Sequence, residues 1–128
     1  PDQYERNVND QSTTQALRMA ERMTNLILPN RMRGIVDLYD VSDDWLPIYD
    51  RSNIDGFYMA CGTSGNQFKN APVAGKLMAQ LVDYCESGNN HDTHPLSFAL
   101  GHIDFILNTA TMSQLRTINP ENSFSVLG

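Results

Sequence analysis

The run Gly62-Thr63-Ser64-Gly65-Asn66-Gln67-Phe68-Lys69 holds the densest chemistry in the chain. It follows an apolar stretch, Phe57-Tyr58-Met59-Ala60-Cys61, and precedes a helical pattern that opens near Asn70. Glycines let a ligand approach the backbone closely. The amino end of a helix offers unpaired N–H groups and a positive dipole end, which suit an anion or an electron-rich oxygen. Lys69 adds a full positive charge at an end where the dipole disfavours one, and that points to an anionic partner. By residue type alone, the run fits a ligand cradle and a tight turn equally well. It is not a phosphate loop, because the GxxxxGK[ST] spacing is absent, and GxGxxG occurs nowhere in the chain.

Other reactive side chains are less promising. His91, Asp92 and His94 cluster in a polar stretch. Two histidines and an aspartate without a further ligand make a poor metal set, so they are expected to be solvated loop residues, and no metal is expected. His102 and Asp104 read as structural. Cys61 and Cys85 lie far apart without a CxxC pairing, which predicts buried, reduced thiols and a cytoplasmic setting. There is no GxSxG elbow for a serine nucleophile. A net charge of -6 without a lysine/arginine stripe argues against nucleic acid. No apolar run approaches the ~20 residues that span a bilayer.

The 128 residues fit one domain, and 41% hydrophobic content is enough to build a core. Ser12-Thr13-Thr14-Gln15 has capping-box spacing, and Ala16, Ala20, Met23 and Ile27 recur at helical spacing, predicting a helix over 12–28 that stops before Pro29. Residues 33–41 are rich in β-formers and predict a strand. Asp43 to Pro47 and Asp55-Gly56 read as turns. The apolar run 57–61 predicts a strand covered on both faces. A helix follows from Asn70, tolerating Pro72 in its first turn, with Val73, Leu77, Leu81 and Tyr84 as its buried stripe. Ser87 to Asn90 ends it. A strand within 98–107, a turn at 119–122 and a tail complete the chain. The fold class is therefore α/β, a mixed α+β fragment built around a strand–glycine loop–helix unit.

Two blocks in order, Tyr39-Asp40-Val41-Ser42-Asp43-Asp44 and Gly62 to Lys69, resemble the carboxyl-terminal region of the D-amino-acid oxidase/sarcosine oxidase/glycine oxidase superfamily. The resemblance covers roughly residues 33 to 82. It implies one carboxyl-terminal portion of a larger FAD-dependent flavoprotein: an arm and helix over 1–32, strands, flavin-facing loop and helix over 33–86, and loop and tail over 87–128. It implies oxidation of a small amine or amino acid, with hydride passing to the flavin. Gly62, Thr63, Ser64, Gly65, Asn66 and Gln67 would meet the flavin, and Lys69 would hold the substrate carboxylate. Tyr39 would line the substrate pocket, or else be a half-buried strand tyrosine. Asn66-Gln67 replace the family's His-Gly. Asp37 stands where some sarcosine oxidases carry a flavin-linked cysteine, so FAD is expected to be held noncovalently. The missing GxGxxG implies that the ADP half of FAD is held by a preceding segment or a partner chain. The other reading is a non-catalytic interaction domain, or a subunit that completes a flavin site with another chain. An incomplete fold also exposes apolar faces and favours homo-oligomers.

Overall fold

The computed structural model describes residues 2–23, 25–31, 33–65, 67–119 and 121. It divides into two compact units, Pro1–Leu38 and Tyr39–Gly128. The described elements are two helices and two small antiparallel sheets, the mixed α+β class expected from the sequence.

In the first unit, α1 spans Asp10–Arg22. Its amino end is set by Asn9, whose side chain accepts the Ser12 N–H at 3.0 Å, rather than by Ser12. The expected helix over 12–28 is thus displaced and shortened. Ile27, which would have extended its apolar stripe, is 92% exposed, and a helical turn with nothing to pack against has little to hold it. The expected strand over 33–41 does not form; residues 33–41 have no ladder partner among the described residues. Ile35 is 93% exposed, so its β propensity finds neither a neighbouring strand nor a face to cover.

In the second unit, β1 (Ile48–Arg51) pairs antiparallel with β2 (Tyr58–Cys61), Ile48 opposite Cys61 and Arg51 opposite Tyr58. The turn between them contains Asp55-Gly56, with Gly56 at φ 72°. β2 was expected to be covered on both faces, yet Tyr58 and Met59 are half-buried and Ala60 and Cys61 exposed. It is paired on one side with a single short strand. Cys61 is therefore not the buried thiol expected, whereas Cys85 is half-buried.

After the glycine loop, a 3₁₀ turn (Phe68–Asn70) runs into α2 (Ala71–Glu86), which carries Pro72 in its first turn. Leu77 and Leu81 are buried as the stripe predicts, and Val73, in the unpacked first turn, is exposed. The segment expected to hold one strand is a hairpin, β3 (Ser97–Leu100) and β4 (Phe105–Asn108), followed by a 3₁₀ turn over Thr109–Met112. The turn predicted at 119–122 and the tail lie mostly outside the described residues.

Strand β1 links two buried layers. Its successive side chains face opposite ways. Tyr49 joins Leu77 and Phe98 in the apolar core, with Ala74, Met78, Leu100, Leu107 and Met112 partly buried against it. Asp50, its neighbour, is fully buried in a polar cluster. No helix among the described residues is long and apolar enough to cross a membrane.

Candidate functional site

Strand β2 ends where the glycine loop begins. Gly62 has φ 63°, and a Cβ there would sit 3.2 Å from the Ser42 Cβ, so the turn favours glycine on both counts. Ser64 follows at φ 51° and Gly65 at φ 72°. A non-glycine residue in the left-handed region costs on the order of 1 kcal/mol and needs surroundings that hold it there. Ser64 is fully buried, and its N–H donates to the Asp40 carbonyl at 2.9 Å.

The amide donors of the loop fall into two sets. The Thr63 N–H donates to Asp40 Oδ2 at 3.0 Å and the Thr63 hydroxyl to Asp40 Oδ1 at 2.8 Å. These bonds, the hydroxyl's first, hold the Asp40 carboxyl below the usual carboxylate range, with help from the Gly62 amide. Thr63 and Ser64 therefore spend amide donors on the chain's own Asp40. Gly65 and Gln67 keep N–H groups that no acceptor among the described residues takes. Asn66 lies outside the described residues. The Gln67 side chain is fixed, its Oε1 accepting from the Tyr49 hydroxyl at 2.9 Å and from Asn70 Nδ2 at 3.3 Å. Burial pushes the Tyr49 phenol up, so its hydroxyl stays protonated and donates. Asn70 stands at the start of α2, but its side chain makes no helix cap.

Lys69 is exposed, in the 3₁₀ turn directly after the loop. No carboxylate among the described residues pairs with it. Tyr39 is 49% exposed and directly precedes Asp40, so its backbone lies one residue from the atoms that bond the loop. The structure thus brings the Tyr39-Asp40 block to the glycine loop, joining segments that are 23 residues apart in sequence.

The most densely bonded cluster lies elsewhere, and the sequence reading missed it. His91, expected to be solvated, is 1% exposed. Its Nδ1 lies 2.8 Å from Asp50 Oδ1 and its Nε2 2.7 Å from the Thr109 hydroxyl. Asp50 Oδ2 accepts from the Ser113 hydroxyl at 2.7 Å and from the Gln114 N–H at 2.8 Å. Burial alone would push the Asp50 carboxyl up, but the bonds from His91, Ser113 and the backbone outweigh it and hold the carboxyl below the usual range. As an ionised acceptor, Asp50 takes a proton-bearing Nδ1 from the ring. Asp92 and His94 remain exposed, so the three residues do not converge on one point.

Beside this cluster, Arg116 grips the buried Asp44 with two prongs, Nε to Oδ2 at 2.7 Å and the terminal nitrogen to Oδ1 at 2.6 Å. The Arg116 bond holds the Asp44 carboxyl at about 2 despite burial. A cavity of about 480 Å³ is lined by Asp44, His91, Ser113 and Arg116 among others. Those polar groups pair largely with one another, and no buried side-chain polar atom among the described residues lacks a partner, which fits a structural cluster. Burial pushes the Cys85 thiol up, which disfavours the thiolate form.

Comparison with known proteins gives one family match. The model of the family described as FAD dependent oxidoreductase matches residues 2–81, which includes β1, β2, the whole glycine loop and most of α2. No curated protein and no solved structure matches.

Proposed function

The chain belongs to the FAD dependent oxidoreductase family, and on that premise we propose that it is the carboxyl-terminal portion of an enzyme oxidising a small amine or amino acid. The observation that carries this reading is the loop itself. The N–H groups of Gly65 and Gln67 and the cation Lys69, none with a partner among the described residues, follow one another closely in sequence inside the segment that the family match covers. Those residues fit an electron-rich ring edge with an anion close by. When bound, FAD supplies the hydride acceptor.

The chain's own residues divide the remaining work. Gly65 and Gln67 hold the flavin by backbone donors and Asn66 is assigned to the same contact, while Gly62, Thr63 and Ser64 shape the turn before them. Lys69 binds and orients the substrate carboxylate, and Tyr39 lines the pocket. No cysteine stands at the position of Asp37, which supports noncovalent binding of FAD. The ADP half of the cofactor is held outside these residues, by a preceding segment or a partner chain that carries GxGxxG. Phe68, 98% exposed beside Lys69, and Phe57, 54% exposed before β2, support such a neighbour.

The test is anaerobic mixing of the FAD-loaded full-length protein with a panel of amines and amino acids. Bleaching of the flavin's visible band by a primary or secondary amine is expected. A flavin that only hydroxy acids or nicotinamide cofactors reduce contradicts the proposal. The isolated 128-residue chain should quench free FAD fluorescence only weakly, because it lacks the fingerprint for the ADP half.

A further inference from the structure

We propose that Asp40 and Tyr49 are positioning residues that clasp the glycine loop at its two ends and fix where Gly65, Gln67 and Lys69 meet a bound flavin. The inference rests on the reading of the loop given above.

Three observations support it. The first is that Asp40 reaches the start of the loop with both its side chain and its backbone, taking the Thr63 N–H, the Thr63 hydroxyl and the Ser64 N–H at 3.0, 2.8 and 2.9 Å. Asp40 is itself exposed, so its carboxylate fills no core position. Its contribution is to hold the turn. The second is that Tyr49 reaches the far end through Gln67 Oε1 at 2.9 Å. Its ring is packed against Leu77 and Phe98 in the core, so the hydroxyl is a fixed post rather than a mobile donor. The third is the backbone between the two contacts, where Ser64 and Gly65 lie consecutively at positive φ, 51° and 72°. A strained serine persists only where neighbouring contacts over-determine it. With both ends held, Ser64 and Gly65 keep these backbone angles, and the two contacts set where the Gly65 and Gln67 amides lie.

Neither residue needs to touch flavin or substrate. Each acts through the loop, and preorganised donors cost no rearrangement when a ligand arrives. The Asp40 contact also fits an Asp rather than an Asn. Both carboxylate oxygens accept, and an amide would offer only one acceptor.

Asp40→Ala, Asp40→Asn and Tyr49→Phe, made in the FAD-loaded full-length protein, separate a positioning role from a purely structural one. Each is read for FAD affinity, the position of the flavin's visible band, KM for substrate and melting temperature. Asp40→Ala and Tyr49→Phe are each expected to weaken FAD binding about tenfold, the equivalent of one lost hydrogen bond of ~1.4 kcal/mol. Both should displace the visible band in the same direction. Asp40→Asn should fall between Asp40→Ala and the wild type. Variants that melt earlier yet keep the wild-type band, FAD affinity and KM overturn the clasp and leave the flavin reading standing. A wild-type protein that takes up no flavin overturns both.

Discussion

Replacing His91 with alanine is expected to destabilise the protein by ~3–5 kcal/mol, a large part of the ~5–15 kcal/mol that holds a domain of ordinary size together. The reason is what the ring leaves behind. Asp50 is fully buried, and its Oδ1 would lose the Nδ1 donor at 2.8 Å. The Thr109 hydroxyl, also buried, would lose the ring nitrogen at 2.7 Å and keep only its bond to the Leu96 carbonyl. A buried carboxylate short of a donor costs far more than the bond it lost was worth, because water cannot replace the missing hydrogen. The damage would spread, since Asp50 also holds Ser113 and Gln114, and through them the turn that presents Arg116 to Asp44. Urea unfolding followed by circular dichroism measures the loss. A change within about 0.5 kcal/mol, the range of an ordinary surface substitution, would contradict this picture of the cluster.

The second large effect falls on function. Lys69→Met in the FAD-loaded protein is expected to lower kcat/KM for a carboxylate-bearing substrate ~30- to 150-fold, corresponding to ~2–3 kcal/mol for a charge-assisted bond. The same variant should leave the amine that lacks the carboxylate almost unchanged. Lys69 has no ion-pair partner among the described residues, so removing its charge disturbs no internal bond. The comparison of the two substrates isolates recognition from folding, because a misfolded variant loses both. Equal losses on the two substrates would remove Lys69 from the carboxylate site.

How much of this was legible in the sequence follows from the range of the forces involved. The glycine loop, β2 and α2 were readable because their signals are local: glycines at a turn, an apolar run, and Leu77 and Leu81 at helical spacing. Residues 33–41 misled for the same reason. They carry β-formers, but a strand exists only with a ladder partner, and propensity cannot report that none is present among the described residues. Strand β1 was missed because Asp50 is a poor strand residue by type. Its place is stabilised by His91, Ser113 and Gln114, which are 41 to 64 residues away. His91 looked solvated because its immediate neighbours are polar, and only the fold brings Asp50 and Thr109 to its two nitrogens. Asp40 sat inside the recognised block, but its bond to Thr63 crosses 23 residues and no spacing rule announces it. Local chemistry thus located the loop, and long-range hydrogen bonds decided which of its donors Asp40 takes.

Hydrogen–deuterium exchange, compared between the FAD-loaded and FAD-stripped full-length protein, tests most directly whether this loop faces the flavin. Within this chain, protection on FAD binding is expected to concentrate on Gly65 to Lys69, with smaller changes at Tyr39. Flavin bound with exchange unchanged across 62–69, or with protection centred on the cavity beside His91 and Arg116, would contradict the account.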